Sequence, residues 1–129
     1  MPGGCRGFQA GAAVMGDRAN VYIRQSDTTG IGLYSSWAGI SLHEAALVAR
    51  DDPRAATNIR DVSYYATVVI RLIFDQLAGG EIGETGFGLW TREDGPTAND
   101  DHPIMVLDAR DGKVSWLRTW SRRGLNGPQ

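Results

Sequence analysis

A polar, turn-forming run between two short alternating segments constrains this chain more than any other feature in it. Ser26-Asp27-Thr28-Thr29-Gly30 has the composition of a hairpin turn. It follows Arg18-Ala19-Asn20-Val21-Tyr22-Ile23-Arg24 and precedes Ile31-Gly32-Leu33-Tyr34-Ser35-Ser36-Trp37-Ala38-Gly39. Successive side chains of a strand point to opposite faces. Ala19, Val21 and Ile23 therefore share one face, and Arg18, Asn20, Tyr22 and Arg24 share the other. The first set suits a core. The second is richer in hydrogen-bonding groups than a plain solvent face needs, so it directs the search for a site to this hairpin.

Two helices follow. Ser41-Leu42-His43-Glu44 matches a capping box, in which the Ser41 hydroxyl and the Glu44 carboxylate satisfy each other's backbone N–H groups. The helix it opens should run from Leu42 to Arg50 and stop at Asp52-Pro53, because a residue before proline is pushed out of the helical region. From Asp61 to Ala78, Ala66, Val69, Ile70, Ile73 and Leu77 form an apolar stripe, and Thr67, Arg71 and Asp75 a polar one. The β-branched run Thr67-Val68-Val69-Ile70 would also suit a strand, but its length and the Gly79-Gly80 stop favour a helix lying on a sheet.

Gly80 to Gly88 is glycine-rich, yet it follows a helix and opens a strand. A phosphate-cradling loop needs the reverse order, so a nucleotide fingerprint is rejected. Strands are expected over Phe87 to Arg92, Pro103 to Asp108 and Lys113 to Leu117, the last two joined by a turn at Arg110-Asp111-Gly112. The element order is β-β-α-α-β-β-β. Without alternating strands and helices, the expected fold is α+β, a single antiparallel sheet of about five strands with both helices on one face.

At 129 residues the chain fits one domain with a single core. Residues 1–14 read as a flexible leader, 15–118 as the domain and 119–129 as a flexible tail. Met15 stands where a second start would, since patterned sequence begins just after it. The net charge of −2 argues against a general nucleic-acid or membrane-surface binder. Cys5 is the one cysteine, which excludes an internal disulfide and a cysteine-based metal cluster. No apolar run is long enough to span a bilayer and no secretory h-region is present, so a cytoplasmic setting is expected.

Four motifs, taken in order, carry a resemblance. They are Gly16-Asp17-Arg18-Ala19-Asn20-Val21, Tyr34-Ser35-Ser36-Trp37-Ala38-Gly39, Glu84-Thr85-Gly86-Phe87-Gly88 and Pro103-Ile104-Met105-Val106-Leu107-Asp108. Together they resemble a family of small uncharacterised bacterial and bacteriophage proteins. The resemblance implies boundaries near Gly16 and Trp116 and implies no activity. Such relatives often carry histidine just before the tryptophan; this chain has Ser36, so a role needing an imidazole there does not carry over.

The ligand-binding candidates are Arg18, Asn20, Tyr34 and Trp37, with Glu84 and Thr85 placed beside them. Arginine offers a planar fork to a carboxylate or phosphate, the aromatic rings offer flat surfaces, and asparagine both donates and accepts. That set suits a small anionic or nucleotide-like ligand. The competing reading is structural: Arg18 pairs with Glu84, and Trp37 plugs the edge of the core. His43 would sit in a helix first turn and His102 would follow Asp100 and Asp101, a loop read as a solvated turn rather than a metal site. No metal or cofactor is expected.

Three function classes stay open. A non-catalytic binding or accessory protein, related to a phage or mobile element, leads, with a small ligand or a protein as partner. A small hydrolase-like enzyme using the Arg18, Asn20 and Trp37 face is the alternative. The third is a nucleic-acid binder through Lys113, Arg118, Arg122 and Arg123 with Trp116 and Trp120 interleaved.

Overall fold

The protein is seen in a computed structural model that describes residues 17–77, 86–96, 102–121 and 125. The expected hairpin is β1 (Ala19–Arg24) paired antiparallel with β2 (Gly30–Ser35). Three helices follow, α1 (Ile40–Asp51), α2 (Pro53–Ala56) and α3 (Val62–Leu77), and then β3 (Phe87–Thr91), β4 (Ile104–Asp108) and β5 (Val114–Leu117). The five strands form one sheet in the order β3-β2-β1-β4-β5.

The sheet is mixed, which corrects the antiparallel expectation. β1 and β4 run parallel, with Val21 opposite Met105 and Ile23 opposite Leu107. The cause is the route of the chain. β3 adds to the outer edge of β2, and β4 takes the opposite side of β1 and runs in the same direction as β1. The other pairings are antiparallel.

The main core lies between the sheet and the helices. Val21, Ile23, Leu33, Met105 and Leu107 meet Leu42, Ala46 and Ala49 of α1 and Tyr65, Val69 and Ile73 of α3. The apolar stripe of α3 faces inward as its period requires. Its polar stripe leaves only a solvent-exposed Arg71–Asp75 pair at 3.9 Å, which contributes little. α2 is an addition to the expected helices. Proline at its first position and the Asp52 carboxylate, which accepts the Arg54 N–H at 2.8 Å, restart a helix where α1 ends.

The other face of the sheet is also covered. Tyr22, Trp90, Ile104, Val106, Leu117 and Leu125 form a second core, with Tyr34 and Trp120 packed against it. Two residues assigned to a flexible tail by composition thus pack on the sheet. The Leu125 carbonyl accepts from Arg24 at 2.7 Å, and Trp120 Nε1–H donates to the Arg92 carbonyl at 3.1 Å. The leader falls outside the described residues.

The capping box at Ser41 does not form. α1 begins at Ile40, and Gly39 occupies the cap position with φ 55°, a backbone conformation that favours glycine. Its N–H donates to the Asp17 carbonyl at 3.0 Å. Buried Ser35 holds the turn instead: its hydroxyl accepts the N–H groups of Ala38 at 3.0 Å and Trp37 at 3.4 Å. Ser35→Ala should therefore cost about 1–3 kcal/mol by stranding buried N–H groups. Ser41→Ala, at an exposed helix position, should stay within about 0.5 kcal/mol. Urea denaturation midpoints of the two variants test this directly, and equal effects would refute the reassigned turn.

Candidate functional site

The second face of the sheet gathers most of the polar groups of β1. Tyr22, Gly32 and Trp90 stand in register across β1, β2 and β3. Glycine in the middle is a packing requirement, because a Cβ there would lie 2.0 Å from the Trp90 indole. The gap lets Tyr22 and Trp90 stack at 5.7 Å between centroids, and Trp120 meets both edge-on at 4.9 and 4.7 Å. Asn20 lies fully buried beside them, and its Oδ1 accepts the Trp90 Nε1–H at 2.8 Å.

The Asn20 Nδ2, the Tyr22 hydroxyl and the Arg92 Nε are buried and make no hydrogen bond among the described residues. A buried donor left without a partner costs about 1–3 kcal/mol, so three together call for an explanation. Burial raises the Tyr22 phenol above its ordinary value of 10.0, and the charges of Arg92 and Arg24 only partly oppose that rise. Tyr22 is therefore a neutral donor at neutral pH.

The structure divides the residues expected to form one site. Asn20 and Tyr34 are opposite each other on β1 and β2, and both face the second core. Arg18 is half-buried just ahead of β1. Trp37 lies beyond the end of β2 in an edge-to-face contact with Phe87, which packs on the helix-side core. It is 36% exposed, between a core and a rim position. Glu84 and Thr85 lie outside the described residues, and with them the Arg18–Glu84 pair.

A second cluster, missed in the sequence, lies on the helix face where β1 and β4 begin. His102 Nε2 is 2.7 Å from Asp17 Oδ1, joining residues 85 positions apart. His43 is buried and its Nε2–H donates to the Asn20 carbonyl at 3.2 Å. Its ring stands edge-on to His102 at 6.2 Å and to Trp116 at 5.0 Å. Nothing local predicts the pair; the parallel placing of β4 beside β1 creates it. Asp100 and Asp101 lie outside the described residues. Among the described residues no group of three or more histidine, cysteine or acidic side chains could hold a metal ion, and no helix is long and apolar enough to cross a membrane.

Alkaline titration tests the burial of the tyrosines. The phenols of Tyr22 and Tyr65 are both raised by burial, so the folded state holds their protons more tightly than the unfolded state. Their contribution is full below pH 10.0 and is lost as pH rises through the folded values. Stability should therefore fall from about pH 10 upward, and less so in Tyr22→Phe. Denaturation midpoints between pH 8 and 11 check this, and an identical slope in wild type and variant would count against it.

No family model, curated protein or solved structure matches this chain.

Proposed function

We propose that the chain binds a small anionic ligand, held against the second face of the sheet. The carrying observation is the donor set of Asn20 Nδ2, Tyr22 hydroxyl and Arg92 Nε, buried without acceptors among the described residues. A phosphate or carboxylate supplies the lone pairs that such a set lacks; Arg92, whose Nη1 already pairs with Glu93 Oε2 at 3.0 Å, offers its Nε. The ring of Tyr34, half-buried at the margin of the second core, favours a ligand with a planar group, as a nucleotide has. In this reading the protein is cytoplasmic and serves as an accessory factor related to a phage or mobile element, in keeping with the resemblance of its motifs. Packing of Trp120 against Tyr22 and Trp90 withdraws that ring from stacking on bases, which counts against a nucleic-acid-binding tail.

The test is thermal denaturation with inorganic phosphate, adenosine monophosphate and citrate as probes. A ligand at 100 times its Kd stabilises by about 2.7 kcal/mol, a rise of several degrees for a domain this size. Tyr22→Phe removes a hydroxyl that makes no hydrogen bond among the described residues, so the free protein should be no less stable, while the ligand-induced rise should shrink or vanish. Flat melting curves with all three probes, or an equal rise in the variant, would refute the reading.

A further inference from the structure

We infer that His102, oriented by Asp17, is a general base, and that the cluster between α1 and β5 hydrolyses small activated esters with a planar leaving group. The inference does not depend on the anion reading, which concerns the opposite face of the sheet.

The hydrogen bonds fix where the protons lie. A carboxylate can only accept, so at 2.7 Å from Asp17 Oδ1 the His102 Nε2 carries the hydrogen. The neutral ring then keeps its lone pair on Nδ1, which makes no hydrogen bond among the described residues. The side chain is 26% exposed, so water reaches it. A carboxylate on one ring nitrogen with the other left basic is the arrangement that prepares histidine for proton transfer. It also stabilises the imidazolium that forms.

The surroundings select the substrate. His43 is fixed in the same way, its Nε2–H given to the Asn20 carbonyl at 3.2 Å, and it is a positioning residue. It links His102 to Trp116, which is 47% exposed and offers a flat wall to an aryl group. His43 stands in the first turn of α1, whose positive end favours an oxyanion formed nearby. The Asp17 charge repels a phosphoryl group, so the fitting electrophile is an uncharged acyl carbon.

The step balances. Water oxygen bonds to the ester carbon while His102 Nδ1 takes one water proton and the carbonyl electron pair moves onto its oxygen. Collapse of the adduct re-forms the carbonyl and breaks the bond to the leaving oxygen, which receives the proton from the imidazolium. The products are an acid and an alcohol, and the imidazole is neutral again.

The test uses the full chain with p-nitrophenyl acetate. Hydrolysis should exceed that of an equal concentration of free imidazole. His102→Ala should lose about 100-fold or more. Asp17→Asn should lose a similar factor, because an amide that donates to Nε2 moves the ring hydrogen to Nδ1. Circular dichroism of both variants checks that they fold. Nitrogen-15 spectra of the wild-type histidines give an independent readout, with Nε2–H expected for His102. A wild-type rate no greater than that of imidazole, a His102→Ala rate within about twofold of wild type, or a hydrogen on Nδ1 would each overturn the inference. An anion-induced melting shift that survives in Asp17→Asn alongside lost hydrolysis separates this outcome from the fate of the anion site.

Discussion

Everything in this fold depends on β1 being buried on both faces. Residues Ala19 to Ile23 are fully inaccessible, although three of the six positions in the strand are Asn20, Tyr22 and Arg24. A strand with polar groups on one side is stable there only if the covering layer answers those groups. Trp90 answers Asn20 by donating its indole hydrogen. Trp120 and Leu125 close the face over Tyr22, and the Leu125 carbonyl answers Arg24. Trp120 and Leu125 thereby belong to the layer that covers this face.

At the far end of β1 a second set of interactions locks the sheet. Arg24 and Arg110 both donate to Asp27 Oδ1 at 3.0 Å, and Arg110 also forks onto Asp108. These bonds tie the β1–β2 turn to the β4–β5 turn, the two turns that the parallel pairing brings side by side. Burial pushes the Asp108 carboxyl up, but the Arg110 guanidinium and backbone N–H outweigh it and hold the carboxyl below its ordinary range. The exposed members contribute modestly, as surface pairs do. Their effect is to fix the register of turns distant in sequence, while the opposite end of the sheet carries the histidine cluster.

What was legible in the sequence was local. The period-two pattern gave β1 and its two faces, the polar run gave the turn at Ser26–Gly30, the helical stripe gave α3, and Arg110-Asp111-Gly112 gave the last hairpin. What was not legible depended on pairing across long separations. The parallel β1–β4 ladder, the Asn20–Trp90 bond across 70 positions and the Asp17–His102 pair across 85 have no local signature. The Ser41 capping box failed for a different reason. The motif was present, but Ser35 and Asp17 had already satisfied the turn and glycine at the cap let α1 start earlier. Among the candidate ligand residues, the alternation of β1 makes its polar face legible. Its cover was missed because it comes from β3 and the C-terminal residues.

Asn20 joins the two candidate regions. β4 begins to pair with β1 at Val21, one residue later, and the Asn20 carbonyl is taken by His43 in α1. Its side chain projects to the other face and takes Trp90 from β3. One residue therefore fixes an imidazole on the helix side and an indole on the aromatic side. Aspartate at this position would keep the acceptor for Trp90 and replace a buried neutral donor by a buried charge, which is costly without a partner. Leucine would keep the volume and lose the acceptor, leaving the indole hydrogen stranded. Asparagine satisfies the indole, adds no charge and leaves its amide N–H groups over. That amide nitrogen, like the Tyr22 hydroxyl and the Arg92 Nε, is buried without a partner among the described residues, so the residue that holds the two layers together also carries an unanswered donor.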